Sequence, residues 1–255
     1  MRVANITVVA TVSALVALVA ASALLAAPAK QAASCKPQPN AQCTGKPLNW
    51  SGRNLTGVNL TDAYLAGGEW LLNPGPRYSK FIRTNFTRAN LTRTKFGYGN
   101  LTGANLTRAN LTQTQLDKAN LTGAKLIGAN IFGTYFEKAN LSRANLTGVR
   151  VVGPNAKFIK ALLTEANLTG ANLTRADLHN GEFVRANLTG ANLTGANLTG
   201  AVLAVANLAG ANFTGANLTN ASLNAAKNAD FAKNFTGAKW SNTVCPNGTV
   251  TNTGC

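Results

Sequence analysis

Large apolar residues recur at every fifth position along most of the chain. Every fifth residue from Phe81 to Val151 is Phe, Leu, Ile or Val, and a second such run extends from Phe158 to Leu223. Two positions before each of these centres the residue is usually small, as at Ala104. A repeat such as Ala-Asn-Leu-Thr therefore alternates apolar and polar side chains, which is the periodicity of a β-strand, and a fifth residue then interrupts it. A helix is excluded because a spacing of five spreads the apolar side chains around all of its sides.

A strand that is interrupted every five residues must turn a corner each time, and four corners close a square coil of twenty residues. Three atypical repeats support this count because they begin twenty residues apart, at Thr94, Thr114 and Thr134. We therefore expect an all-β solenoid in which these repeats stack on one face. Since Arg, Lys and Gln also occupy the fifth position, we expect that the corners do not require left-handed backbone.

The repeats resemble those of the pentapeptide-repeat family, whose consensus is Ala-(Asp/Asn)-Leu-x-x. The resemblance extends from Asn54 to Trp240. It implies a right-handed quadrilateral β-helix of about eight coils, spanning roughly 40 Å at the β-sheet spacing, with the small and central residues pointing inward. The best-known members are acidic, cytosolic DNA mimics that protect or inhibit gyrase. This chain contains 24 Lys and Arg against 8 Asp and Glu, a net charge of +16, so we do not expect it to mimic DNA.

Departures from the five-residue period divide the chain into segments. Pro and Gly mark loops near 71–80 and 152–157, where successive centres are eleven rather than ten, and seven rather than five, residues apart. The predicted segments are a signal peptide at 1–29, an N-terminal cap at 30–50, the β-helix at 51–241 and a C-terminal cap at 242–255.

The N-terminal segment predicts export. Arg2 precedes an apolar run that extends from Ile6 to Ala27 and closes in an Ala-Pro-Ala sequence. A basic start, an apolar centre and a small-residue exit are typical of a secretory signal peptide. We therefore expect the protein to be secreted or located in the cell envelope, in the periplasm or at the cell surface. The alternatives are an uncleaved membrane anchor and lipidation at Cys35.

Four cysteines flank the repeats, and an even set in an exported chain predicts disulfides. Short loops favour the pairs Cys35–Cys43 and Cys245–Cys255, although four cysteines allow three pairings. Beside these pairs, we expect Trp50 and Trp240 to lie as apolar lids over the first and last coils. A zinc site is the competing interpretation. It requires the two ends of the rod to meet, and His179 is the only histidine.

The sequence contains no Ser/His/Asp arrangement, phosphate-binding loop or metal-spaced cluster. We therefore expect neither an enzyme nor a cofactor or metal site. Asp177 and His179 lie two residues apart on one short strand, and we interpret both as outward-facing surface residues.

The face that carries the atypical repeats departs most from the regular repeat sequence. Lysines stacked one coil apart form a candidate site for an anionic polymer. The alternative is a solvated edge in which these lysines form salt bridges with the neighbouring Asp117 and Glu137. The candidate column at the fifth position contains Tyr98, Lys118, Lys138 and, counted through the insertion, Lys160.

Taken together, these features predict a non-enzymatic scaffold or binding protein whose partner is an anionic cell-envelope polymer or another protein. The alternative is a structural surface protein without a specific ligand, glycosylated at its recurring Asn-x-Thr sequences. Exposed strand edges at the ends of the solenoid also predict a homodimer. Outward side chains such as Asn172 are expected to contribute little to stability.

Overall fold

The computed structural model describes residues 38–41, 56–61, 79–150, 156–230 and 234–255. The predicted signal peptide, the Cys35–Cys43 pair and the predicted N-terminal lid at Trp50 therefore lie outside the described residues. In the described ranges no helix is both long and apolar enough to cross a membrane.

Each coil contains four pentapeptides, whose positions we number from the small residue (first) through the centre (third) to the corner (fifth). Parallel bridges join second-position residues twenty apart, as between Asn85 and Asn105. The N–H of each centre donates to a second-position carbonyl of the next coil, at 2.7 Å for Phe81 and Asn100. The predicted twenty-residue coil is therefore present.

The four columns of centres define faces 1 to 4 in chain order, and every described centre listed below is at most 1% exposed. Face 1 contains Phe81, Leu101, Leu121, Leu141, Leu163, Phe183, Leu203 and Leu223, and face 2 contains Phe86, Leu106, Leu126, Leu146, Leu168, Leu188 and Leu208. Face 3 contains Leu91, Leu111, Ile131, Leu173, Leu193 and Phe213, and face 4 contains Phe96, Leu116, Phe136, Phe158, Leu178, Leu198 and Leu218.

The core is narrow because small first-position residues, mostly Ala, face the large centres. Burying each Leu or Phe centre contributes about 1.5–3 kcal/mol. Phenylalanines on consecutive coils stack, as in the pair Phe136–Phe158 with ring centres 4.6 Å apart. Face 4 carries Thr at the first position in three coils, and these side chains are fully buried. The hydroxyl of Thr114 donates to Leu91 O at 2.8 Å, so this buried polar group is satisfied.

The corners adopt left-handed backbone whichever residue occupies them, so the expectation that they do not require it is wrong. The φ angle is 64° at Gly103, 56° at Arg88 and 57° at Lys118. Ala89 N–H donates to Phe86 O at 3.0 Å, which closes a four-residue turn whose third residue needs positive φ, as in type II turns. A non-glycine residue in this conformation costs roughly 1–2 kcal/mol. Gly would adopt the corner conformation without this cost, so each Arg or Lys at a corner is locally less favourable than Gly.

The second-position Asn side chain stabilises the turn that follows it. Asn172 Oδ1 accepts hydrogen bonds from the N–H of Thr174 at 3.2 Å and from its hydroxyl at 2.6 Å. Asn192 and Thr194 form the same pair of bonds. Because a net hydrogen bond contributes about 1 kcal/mol, the structure contradicts the expectation that Asn172 matters little. The recurring Asn-x-Thr therefore has a structural cause that is independent of glycosylation.

Two coils of the solenoid are each two residues longer than the regular twenty. Tyr135 pairs with Lys157, and Asn217 pairs with Lys239, in both cases twenty-two residues later. The first of these longer coils contains the insertion that the sequence spacing shows near 152–157.

The N-terminal insertion is larger than the sequence spacing predicts. Asn59 pairs with Asn85, twenty-six residues later, so the chain between them is six residues longer than a regular coil. The spacing of apolar residues predicted one additional residue.

The C-terminal cap continues the coil pattern beyond the predicted boundary at residue 241. Strands β1 (Thr243–Val244) and β2 (Val250–Thr251) form an antiparallel hairpin. Leu223 N–H donates to Val244 O at 2.8 Å, which places Cys245 at the centre position above Leu223, where it is 4% exposed. The predicted Cys245–Cys255 disulfide is formed. Trp240, which we expected over the last coil, occupies a centre position of that coil, because Leu218 N–H donates to Lys239 O at 2.8 Å. Its ring packs against that of Phe235, with ring centres 5.5 Å apart.

Candidate functional site

Face 4 places the four residues of the candidate column at successive corners. Tyr98 N–H donates to Asp117 O at 2.9 Å, and equivalent bonds link the later corners to the coil above them. Adjacent corners are therefore separated by one coil, about 4.8 Å. The positive φ angles at these corners, from 54° to 59°, direct the long side chains outward from the edge of the face. The column contains Tyr98, Lys118, Lys138 and Lys160.

Lys118 and Tyr98 contact each other across the first two coils of this column. The ammonium group donates to the Tyr98 hydroxyl and lies 4.7 Å from the ring centre. The hydrogen bond shows that the contact is at the hydroxyl end of the ring rather than over its face. This bond raises the pKa of Lys118 above its ordinary value. The lysine is therefore charged at neutral pH.

A second column on face 4, at the second position, adds basic and aromatic side chains that the sequence analysis missed. Lys157 Nζ lies 5.2 Å from the centre of the Tyr135 ring, which is 37% exposed, so the pair makes a cation–π contact. The sequence feature that could have revealed this column is the replacement of the usual second-position Asn on successive coils. This column contains Lys95, Gln115, Tyr135 and Lys157.

Two acids interrupt the basic surface. Lys138 Nζ lies 3.2 Å from Glu137 Oε1, and both side chains are about half exposed, so this pair contributes less than about 1 kcal/mol. The salt-bridged interpretation therefore applies to Lys138. Among the described residues, Lys160 makes no ion pair. Between Lys95 and Lys160, face 4 thus presents five lysines against two acids.

Asp117 is half-buried, and its pKa is raised mainly by this burial. The neighbouring Glu137 carboxylate raises it further, whereas a hydrogen bond from Glu137 N–H to Asp117 Oδ1 at 3.2 Å opposes the shift. A raised folded-state pKa means that the folded state binds the proton more tightly than the unfolded state. The stability contribution is then fully present below the ordinary value of 3.8 and is lost as pH rises through the folded-state pKa.

We therefore expect Asp117→Asn to raise the free energy of unfolding at pH 7, by less than about 1 kcal/mol because the site is partly solvated. The difference from wild type should shrink as the pH falls towards 3.8 and vanish below it. Urea unfolding of both proteins between pH 3 and pH 7 measures this. A difference that does not change with pH would contradict the assignment to the carboxylate charge.

Asp177 and His179 also lie on face 4, on the coil that follows Lys157 and Lys160. His179 Nδ1 is 2.9 Å from Asp177 Oδ1, and Asn197 donates to the same oxygen at 3.1 Å. On the coil above, the hydroxyl of Thr199 donates to Asn197. The Thr199 hydroxyl belongs to a regular Asn-x-Thr turn and is not directed at His179. The Asp177–His179 contact therefore has the geometry of a structural hydrogen bond on the surface. In the described part of the chain, no three His, Cys, Asp or Glu residues are grouped so as to hold a metal ion.

The repeats of all four faces together identify the family. A sequence profile described as pentapeptide repeats, in eight copies, matches more than half of the chain. The chain belongs to the pentapeptide-repeat family. Proteins of this family are generally non-enzymatic scaffold or binding proteins, and their fold is a right-handed β-helix. The matched segments are 77–108, 84–123, 124–153, 155–190 and 186–224.

Solved structures similar to this pentapeptide-repeat protein come from several sources. HetL, involved in heterocyst differentiation regulation in the cyanobacterium Nostoc, is 28% identical over 80% of this chain and 94% of its own, with a TM-score of 0.35. QnrB1, a plasmid-mediated fluoroquinolone resistance protein, is 19% identical over 71% of this chain and 92% of its own, with a TM-score of 0.41. A protein of the Arabidopsis thaliana thylakoid lumen is 32% identical over 48% of this chain and 63% of its own, with a TM-score of 0.20. No curated protein sequence matches the chain significantly.

Proposed function

We propose that this pentapeptide-repeat protein is an exported, non-enzymatic scaffold that binds an anionic polymer of the cell envelope through face 4 of its N-terminal coils. The uneven distribution of charge along the rod carries this proposal. Residues 79–160 contain thirteen Lys and Arg but only two acids, whereas residues 186–226 contain no charged side chain. A general need for solubility does not require the charge to be concentrated in one half. Recognition of a polyanion by the N-terminal half accounts for this concentration of positive charge.

The corners support the same conclusion because a charged side chain there opposes the backbone preference. In the N-terminal coils Arg or Lys occupies many corners in spite of the positive φ. In the uncharged coils most corners are Gly, which adopts this conformation without steric cost. The sequence therefore places cations at strained positions only in part of a fold that accepts Gly throughout. The glycine corners of the uncharged coils are Gly190, Gly195, Gly200, Gly210 and Gly215.

Export is supported by two features at opposite ends of the chain. Residues 1–29 have the composition of a signal peptide, and Cys245–Cys255 forms a disulfide compatible with an oxidising compartment. An envelope location would bring the basic coils into contact with phosphate-bearing or acidic polymers.

The test measures binding to inorganic polyphosphate and to lipoteichoic acid at graded salt. Wild type should bind at about 50 mM salt and lose affinity steeply as salt rises, because binding releases counterions. The variant Lys118→Gly/Lys138→Gly/Lys160→Gly removes three cations at corners where Gly is favoured, so its fold should be retained. We expect its affinity to fall at least about tenfold and its log-log salt slope to decrease by about 2.

A matched control removes three cations from the other half of the rod, through Arg185→Gly, Lys227→Asn and Lys239→Asn. Its affinity should stay within about twofold of wild type, since contacts beyond a Debye length of about 10 Å are screened. Equal losses in both variants would show that net charge rather than face 4 drives binding. Failure of wild type to bind either polymer at low salt would refute the proposal.

A further inference from the structure

Face 1 loses the Asn-x-Thr pattern on three successive coils in the middle and C-terminal part of the rod. Its second-position column there reads Leu162, Glu182 and Val202, which are joined by parallel bridges. On the three preceding coils of this face, the second-position Asn accepts a hydrogen bond from the N–H two residues later, as Asn100 does from Thr102 at 3.1 Å. In the next three coils, Leu162 and Val202 have no side-chain oxygen that could accept this hydrogen bond. Glu182 has a carboxylate, but it accepts no hydrogen bond from the N–H two residues later. This part of the face therefore lacks a stabilising bond that the regular repeats contain.

Val205, at the corner of the last of these coils, departs further from the preference of the fold. Its φ is 60°, in the left-handed region that β-branched residues rarely adopt, and it is 36% exposed. The next two corners of the same coil are Gly210 and Gly215. Backbone strain that the fold does not require is concentrated at functional surfaces, so this valine indicates that its side chain has a use at the surface.

Val205 adjoins other outward apolar side chains, and together they form a continuous surface. Second- and fourth-position side chains flank each centre on the same strand, and the strands of adjacent coils are about 4.8 Å apart. All of these residues are half-buried or exposed at positions where most coils carry Asn, Thr or Gly. We call this surface the valine patch. It contains Leu162, Val184, Val202, Ala204 and Val205.

One uncompensated charge lies within the valine patch. Glu182 is exposed between Leu162 and Val202 and makes no ion pair with any described residue. The other acid beside the patch, Glu165, is already paired, since its carboxylate lies 2.9 Å from Arg143 Nε and 3.8 Å from Arg185. A ligand that brings a cation to Glu182 therefore gains an ion pair at the centre of the patch.

We propose that the valine patch binds an extended segment of another protein, in which aliphatic side chains flank a Lys or Arg. The aliphatic side chains would cover the valines and Leu162, and the cation would pair with Glu182. A second copy of this chain fits poorly, because Glu182 lies centrally and a two-fold axis through the patch opposes it to its own copy. The patch spans only three coils, about 10 Å along the rod, whereas a stable dimer buries about 800 Å² on each partner.

This site shares no residue with the polymer-binding surface proposed on face 4, although Lys160 lies at the corner two residues before Leu162. The patch lies on the adjoining face, beginning near the end of the basic coils and extending into residues that carry no charge. Simultaneous use of the two surfaces would make the protein an adaptor that attaches a second protein to an anionic matrix.

The test selects peptides from a random display library on the intact wild-type protein, at a salt concentration that suppresses polyanion binding. Counter-selection uses the variant Leu162→Asn/Val184→Thr/Val202→Asn/Val205→Gly. Each substitution introduces the residue that regular repeats carry at that position, so the variant should unfold at a Tm equal to or above that of wild type. We expect the selected peptides to contain a basic residue between aliphatic residues. Their Kd should rise at least about tenfold on the variant.

Glu182→Gln provides the control for the charge. It should weaken binding of the selected peptides at least about threefold, and replacing their basic residue with Gln should abolish that difference. Selection of no peptide that distinguishes wild type from the variant would overturn the proposal, and so would selection of purely acidic peptides. Self-association of wild type that the variant loses would assign the patch to a second copy instead. Binding of polyphosphate should be unchanged in both variants, so failure here is distinguishable from failure of the proposed function.

Discussion

Replacing Leu193 with Ala should lower the free energy of unfolding by about 2–5 kcal/mol. Leu193 is fully buried at the centre of face 3, between Leu173 and Phe213 on the adjacent coils. The cavity left by the substitution cannot close readily, because backbone hydrogen bonds of 2.7–2.9 Å hold the coils at a fixed separation. Urea unfolding monitored by circular dichroism measures the loss.

Two substitutions in the same repeat calibrate this effect. Asn192→Ala removes both hydrogen bonds to Thr194 and should cost about 1–2 kcal/mol, whereas Thr194→Ala removes only the hydroxyl bond and should cost about 0.5–1 kcal/mol. The expected loss in free energy of unfolding is therefore largest for Leu193→Ala, smaller for Asn192→Ala and smallest for Thr194→Ala. Equal costs at the three positions would mean that the inward and outward assignments are wrong.

The coil could be predicted from the sequence because its signal is repeated many times. Each centre fixes only its own strand, but the atypical repeats beginning at Thr94, Thr114 and Thr134 fixed the number of strands in a coil. The structure confirms this spacing through the bridge between Lys95 and Gln115 and that between Gln115 and Tyr135.

The corner geometry could not be read from residue types alone. Arg and Lys at the fifth position suggested ordinary backbone, because most non-glycine residues avoid positive φ. The cooperative ladder of hydrogen bonds overrides this preference at each corner, as at Arg88 and Arg108. A periodic fold imposes one turn geometry on every repeat, so the glycine-containing repeats were the informative ones.

The candidate site was predicted only in part for a related reason. Tyr98 and the lysines above it were found because they share the corner position. The second-position column with Tyr135 and Lys157 was not found, although it departs from Asn at the same spacing. The valine patch was also missed, because apolar residues were assigned to the core before their position within the repeat was considered. Here the signal is departure from Asn-x-Thr on one face at one-coil intervals, as at Leu162 and Val202.

Breaking the C-terminal disulfide with Cys255→Ser should destabilise the last coils by about 2–3 kcal/mol, because the bridge closes a short loop and restricts the unfolded chain. Cys245 is buried above Leu223, and the loop between the cysteines contains β2, which pairs with β1 immediately before Cys245. The hairpin is held to the solenoid mainly by the strand of Val244, which donates to Ala221 O at 2.9 Å. Releasing the tail should therefore allow this strand to fray.

The loss should remain local, since each coil of a solenoid contacts only its neighbours. In hydrogen exchange, amides in 218–245 should lose protection while those in 106–126 retain it. Val250→Ser provides a matched control, because Val250 is 61% exposed within the same loop and its substitution leaves the disulfide intact. The frayed variant should also self-associate more than the control, because an uncovered strand edge offers unpaired N–H and C=O groups. A uniform loss of protection along the rod would instead show that the solenoid unfolds as a single cooperative unit and that the cap stabilises all of its coils.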